Sequence, residues 1–292
     1  MTTTTRTLLA RQALDAAQVT RQQCQRSVLD PLCIYDVVSE SKVDLWFQDN
    51  SSLEGMYAQT PSPRIIIGAK RPCSRQRYTC AHELGHHVFN HGTRIDEFHE
   101  EAKNTCSDEP EEFLAQAYAG FLLMPKLAIE LAFRKRGWKP TDANPEQIYT
   151  LSCLFGVGYE AMLHHICRSL GIISEERKTL LSKKKAIAIR AEITESAEAS
   201  RPVVVTDTFW KGRPIDLEVG DLLLAPSNAQ ISGMNLYMMR TIKRGTLWEA
   251  LTPGTSRIFT EDESWAAFIR VAKKDYAGRN MFRHKPTLPD DE

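Results

Sequence analysis

The chain has 292 residues, about twice a typical domain of roughly 150, so two or three domains are expected. Hydrophobic residues make up 42% and charged residues 25%, ordinary globular values that exclude a disordered, collagen-like or coiled-coil chain. Lys plus Arg and Asp plus Glu number 37 each, which excludes a globally basic nucleic-acid binder and leaves any DNA contact to a local patch.

The start, from Met1 to Arg6, is followed by no apolar signal-peptide core, and no stretch approaches 18 consecutive apolar residues. Neither secretion nor membrane insertion is expected. The seven cysteines are scattered without a C-x-x-C pair, so they give no disulfide framework or zinc ribbon and fit a reducing cytoplasm.

Residues 8–26 carry Leu9, Ala13, Ala16 and Ala17 among polar side chains, which predicts a first amphipathic helix, with a short second one over 32–38. Apolar runs at 43–47, 55–57 and 64–68, separated by Asn, Ser and Pro turns, predict a small antiparallel sheet. Ser74 is the expected N-cap of a helix from Arg75 through Phe89, with Gly92 just past its end. After a polar stretch over 94–109, Pro110 opens a helix with Phe113, Ala117 and Phe121 on one row, and Pro125 separates it from the next helix, 126–136. Residues 145–155, the turn Gly156-Val157-Gly158 and residues 159–170 have the layout of a helix-turn-helix.

The polar stretch 182–201 is expected as a linker, helical in part. Beyond it, short apolar runs at 203–205, 221–224, 236–239 and 247–251 predict a further antiparallel sheet, whose core takes Trp210, Trp248 and Trp265. Trp265, Phe268, Ile269, Ala272 and Tyr276 follow 3.6-residue spacing and predict a terminal helix, and the basic patch 279–284 is expected to be a solvated terminus. The whole is α+β: 1–140, a helical segment 141–181, the linker and a separate, mainly β unit 202–292.

The most informative residues are Ala81-His82-Glu83-Leu84-Gly85-His86. His82 and His86 are one helical turn apart, so both imidazoles can reach one ion, and Glu83 lies where it can accept a proton from water at that ion. A catalytic site needs a third protein ligand. Gly92 stands where a metzincin has its last His, which excludes that pattern; Glu109, Glu111 and Glu112 remain as candidates, with His91 and His99 behind them. Tyr149, His164 and His165 are candidates to fold back over the site. Cys73, Cys80 and Cys106 lie nearest the motif, and inert buried thiols are the expectation for them.

Gly55-Met56-Tyr57, the Ile-rich run 64–68, Arg77 through His86, and Glu112 with Ala115, Tyr118, Ala119 and Leu122-Leu123-Met124-Pro125 together resemble the ImmA/IrrE metallopeptidase family over about residues 8–135, with similarity to about 173. Leu114 and Gln116 depart from that family's pattern, which has a second acidic residue and an Asn there. The resemblance implies a zincin-like domain with His82, His86 and Glu112 as metal ligands, Glu111 second, and Glu83 as the catalytic carboxylate. It implies zinc, or manganese, and as substrate a helix-turn-helix transcriptional repressor whose cleavage relieves repression in stress or mobile-element control. The alternative is a metal-binding DNA regulator that uses Tyr159, His164, His165, Arg168, Arg177, Lys178 and Lys183 to Lys185 against phosphates.

Overall fold

The computed structural model describes residues 1–97, 108–196, 200–211 and 213–286. His99, Cys106 and residues 290–292 lie outside them. The chain begins with α1 (Thr3–Gln23), whose first turn is capped by Thr2 Oγ1 accepting from the Thr5 amide. Its Ala13 and Ala17 face α4 (Pro110–Leu123), and the two helices are also tied by buried polar groups. Arg21 Nε donates to the Leu122 carbonyl at 2.9 Å, and Tyr118 Oη donates to Thr20 Oγ1 at 2.9 Å. Breaking such a buried bond strands its partner, a cost of about 1–3 kcal/mol.

After α2 (Ile34–Glu40) come β1 (Asp44–Gln48), β2 (Leu53–Ala58) and β3 (Arg64–Gly68), then α3 (Cys73–Val88) and β4 (Arg94–Glu97). The sheet is not purely antiparallel as expected. β1 runs parallel to β3, with Leu45 beside Ile65 and Phe47 beside Ile67, so their buried side chains share one face. Alternation marks a strand but carries no information on its neighbour, and here β2 lies between β3 and the edge strand β4. α3 also starts earlier than Ser74 implies: Pro72 occupies the cap position, and the Gln76 side-chain amide donates to the Ala69 and Arg71 carbonyls, both at 2.8 Å.

α5 (Lys126–Lys135) leads to α6 (Pro145–Phe155), which opens with a capping box between Asn144 and Gln147 and closes on Gly156 in the left-handed conformation. α7 (Tyr159–His164) runs into a π-helical turn, His165–Ser169. α8 (Glu175–Ser182) and α9 (Ala186–Thr194) follow, the latter inside the stretch expected as linker and with Ile189 and Ile193 buried.

The C-terminal part holds two four-stranded sheets. One is β5 (Val203–Val205), β7 (Leu222–Ala225), β10 (Gly245–Ala250) and β9 (Leu236–Ile242) in spatial order. The other is β6 (Ile215–Glu218), β12 (Ala266–Ala272), β11 (Gly254–Thr260) and β8 (Ala229–Ser232). The expected terminal helix is thus the strand β12. Its β-branched Ile269 and Val271 are buried between β6 and β11 while Phe268 is 68% exposed, so the two-residue period outweighs the 3.6-residue one. All three tryptophans, Trp210, Trp248 and Trp265, are buried as expected.

The C-terminal residues also return to the first sheet. β13 (Gly278–Arg279) pairs antiparallel with β1, so the five-stranded order is β13-β1-β3-β2-β4. The patch expected to be solvated contains Arg283, which is 2% exposed, donates to Gln76 Oε1 at 3.2 Å and Glu218 Oε1 at 3.1 Å, and stacks over Phe47.

Candidate metal centre

His82 and His86 lie on α3 toward α4, with Glu83 beside them toward β2, and the helices touch closely because Gly85 meets Ala115: a Cβ at Gly85 would stand 3.0 Å from the Ala115 Cα. That approach brings Glu112, in the first turn of α4, onto the histidine pair. Its Oε2 is 3.2 Å from His82 Nε2 and its Oε1 is 3.4 Å from His86 Nε2. The two Nε2 atoms are 3.1 Å apart. His86 Nδ1 lies 2.9 Å from His91 Nδ1, a contact that holds the ring with its Nε2 toward Glu112 and His82.

Sequence reasoning missed one member. Asp96, on the edge strand β4, brings Oδ2 to 3.2 Å from His82 Nε2, and one donor atom from each of His82, His86, Asp96 and Glu112 lies within 4.8 Å of the others. A lone Asp in a four-residue strand carries no sequence signal; only the pairing of β4 with β2 puts it there.

The charges of these groups are set by one another. Burial alone would depress His82, but hydrogen bonds to Asp96 and Glu112 override it and raise its pKa to about 10. Hydrogen bonds from His82 and His86 hold the Glu112 carboxyl well below the usual carboxylate range. Burial, opposed by His82 and reinforced by the charges of Asp96 and Glu112, pushes Glu83 well above it. Glu83 is fully buried and neither carboxyl oxygen has a hydrogen-bond partner. Its space depends on Gly55, where a Cβ would come within 2.4 Å of Glu83 Oε1. One His82 nitrogen also faces three partners although it carries at most one proton. Two imidazoles, two carboxylates and an orphaned buried acid form a donor set that fits a divalent cation.

Residues 44–166 match the family described as IrrE N-terminal-like domain, Peptidase_M78. That stretch, under half of the chain, is similar to this family. With it comes the metallopeptidase class, and the cluster on α3, β4 and α4 lies inside the matched residues. No curated protein matches the chain. The M78 match ends within the π-helical turn, and α1, which packs on α4, lies outside it.

The other sequence candidates fall elsewhere around the M78 domain. Glu111 forms an ion pair with Arg94, and Glu109 caps α4 outside the cluster. His91 stands behind His86; burial, with the neighbouring His86, lowers its pKa to about 4. Tyr149 donates to the Val203 carbonyl at 2.7 Å and so is held away from His82 and His86. His164 and His165 line a cavity of about 630 Å³ between α1, α3, α4 and α7, with Tyr78, Thr79, Gln116 and Phe121. Thr79 and Gln116 are each one helical turn from Glu83 and Glu112, so the cavity adjoins the cluster. Burial raises the pKa values of Cys73 and Cys80, which keeps both as thiols.

Several of the cations considered for DNA are paired within the chain. Arg168 pairs with Glu175 at 2.8 Å, Lys185 with Glu160 at 3.3 Å and Lys184 with Glu192, while Arg177 donates to the Ala143 carbonyl and Tyr159 is buried.

Proposed function

We propose that the chain is a metal-dependent endopeptidase, with His82, His86 and Glu112 as metal ligands and Glu83 as the group that moves the proton. The observation that carries this is the convergence of imidazole and carboxylate donors beside a fully buried, unpartnered Glu83. A divalent ion held there, zinc in the first place and manganese in the second, supplies Lewis acidity toward a peptide carbonyl. Glu83 then accepts the proton of the attacking water and passes it to the nitrogen of the leaving amine. Gly55 keeps the space for this carboxyl, and His91 orients His86. The adjoining cavity, with Phe113 and Phe121 in its wall, offers room for apolar side chains of a polypeptide.

The resemblance to the ImmA/IrrE family supports a helix-turn-helix repressor as the substrate, cleaved in the cytoplasm to relieve repression in a stress response or mobile-element control. Co-expression with a helix-turn-helix repressor encoded beside it, followed by mass analysis of the fragments with and without a chelator, tests this. Defined fragments that vanish with the chelator are expected. An intact repressor under both conditions removes the substrate assignment.

A further inference from the structure

We infer that Asp96 is a fourth protein ligand, so that at rest the chain itself fills the position a catalytic water would need. This rests on the metal-site reading above. With bonds of about 2.0–2.1 Å, the donors of a tetrahedral zinc site stand about 3.3 Å apart. The separations here are 3.1 Å between the two imidazoles, 3.2 Å from His82 to Asp96, 3.2 Å from His82 to Glu112 and 3.4 Å from His86 to Glu112. Asp96 meets His82 at that spacing, and its donor atom lies within 4.8 Å of those of His86 and Glu112.

An orienting role would look different. A carboxylate that only steadies a metal-bound histidine sits on the ring nitrogen remote from the ion. Asp96 meets Nε2 of His82, the nitrogen that faces His86 and Glu112. The backbone is built for this. The β2–β4 ladder shifts between Leu53 and Gly55, so Glu54 is an extra residue and Asp96 pairs with Gly55, above Glu83. Such a bulge re-aims a side chain. Arg94, two residues away, is ion-paired to Glu111, which fixes β4 against the turn that carries Glu112.

Four protein donors make a closed set, whereas catalysis uses three and an open position. Cleavage then requires Asp96 to yield. β4 is a four-residue edge strand whose ladder among the described residues is with β2 alone, so releasing Asp96 breaks few backbone bonds beyond the Arg94–Glu111 pair.

The test compares wild type with Asp96→Ala, Asp96→Asn and Asp96→His by chelator competition for zinc and by visible absorption of the cobalt(II)-loaded protein titrated with azide. Asp96→Ala and Asp96→Asn are expected to lose zinc affinity by roughly tenfold or more. Their cobalt spectra should respond to azide at concentrations that leave wild type unchanged, and Asp96→His should regain affinity. Asp96→Asn keeps the side-chain volume and reports even if the alanine variant fails to fold. Equal zinc affinity and equal azide response in wild type and Asp96→Asn overturn the inference while leaving the metal site intact. A wild type that binds no metal overturns the metal-site reading itself.

Discussion

Two clusters of charge are buried in this molecule, and they are composed in opposite ways. At the seam between the first sheet and the C-terminal strands, acids and bases meet one another: Arg270 Nε donates to Asp216 Oδ1 at 2.7 Å, Arg283 to Glu218 at 3.1 Å, and Arg77 to the Asp216 carbonyl at 3.0 Å. Asp216 consequently stays well below the usual carboxylate range, its burial outweighed by Arg270 and Arg77. Between α3, β4 and α4 there is no arginine or lysine among the four clustered side chains, only imidazoles and carboxylates. The seam is balanced by the chain alone and acts as a tie. The other cluster joins imidazoles to carboxylates, the donor types that hold a divalent cation.

The largest effect that separates the two is chemical. Glu83→Gln is expected to keep the fold and the metal and to lower cleavage at least about a hundredfold, since an amide cannot accept the proton of water. Fragment yield from a repressor substrate, alongside elemental analysis, checks it; unchanged cleavage would remove the peptidase reading. At the seam, Asp216→Ala strips Arg270 of its buried partner and should cost on the order of 3–5 kcal/mol, with or without metal. Urea titrations of loaded and chelated protein should show the same loss in both; a loss confined to one state would tie the seam to the metal.

Smaller changes sharpen the contrast. Gly85→Ala forces a methyl against Ala115 and should cost about 1–3 kcal/mol. It should also weaken metal binding by widening the gap between α3 and α4, which isothermal titration with zinc would read. The last prediction concerns pH. Asp221, pushed up to about 7 mainly by burial, lies against the Glu218 amide at the seam. Its folded-state pKa is raised, so the protonated form favours folding; that contribution is complete below about 4 and is lost as pH rises through 7. Asp221→Asn should therefore flatten the fall in stability between pH 5 and 8, and equal slopes in the two proteins would contradict the assignment.

Sequence reached different depths in these regions for physical reasons. His82, Glu83 and His86 were legible because a helix converts a spacing of four into a shared face, within one element. Glu112 came through resemblance, since nothing local distinguishes it from Glu109 and Glu111 in an acidic helix start. Asp96 was silent, because its place depends on a bulge opposite Glu54 and on a partner strand some forty residues earlier. The run after Trp265 carries both periods at once, and only the flanking β6 and β11 decide that Ile269 and Val271 share the buried face. β13 is two residues long, too short to leave any pattern.

That short strand has a consequence for how the protein is made. Arg279 closes on Asp44, 235 residues earlier in the chain, and β13 covers the outer edge of β1. At a synthesis rate of about 5–20 residues per second, that edge leaves the ribosome on the order of ten to fifty seconds before its cover. During that interval the peptidase sheet offers unpaired backbone groups to any passing strand. The newborn chain is therefore most open to mispairing on the side of the sheet opposite β4, and it is sealed there only once residues 278–279 emerge.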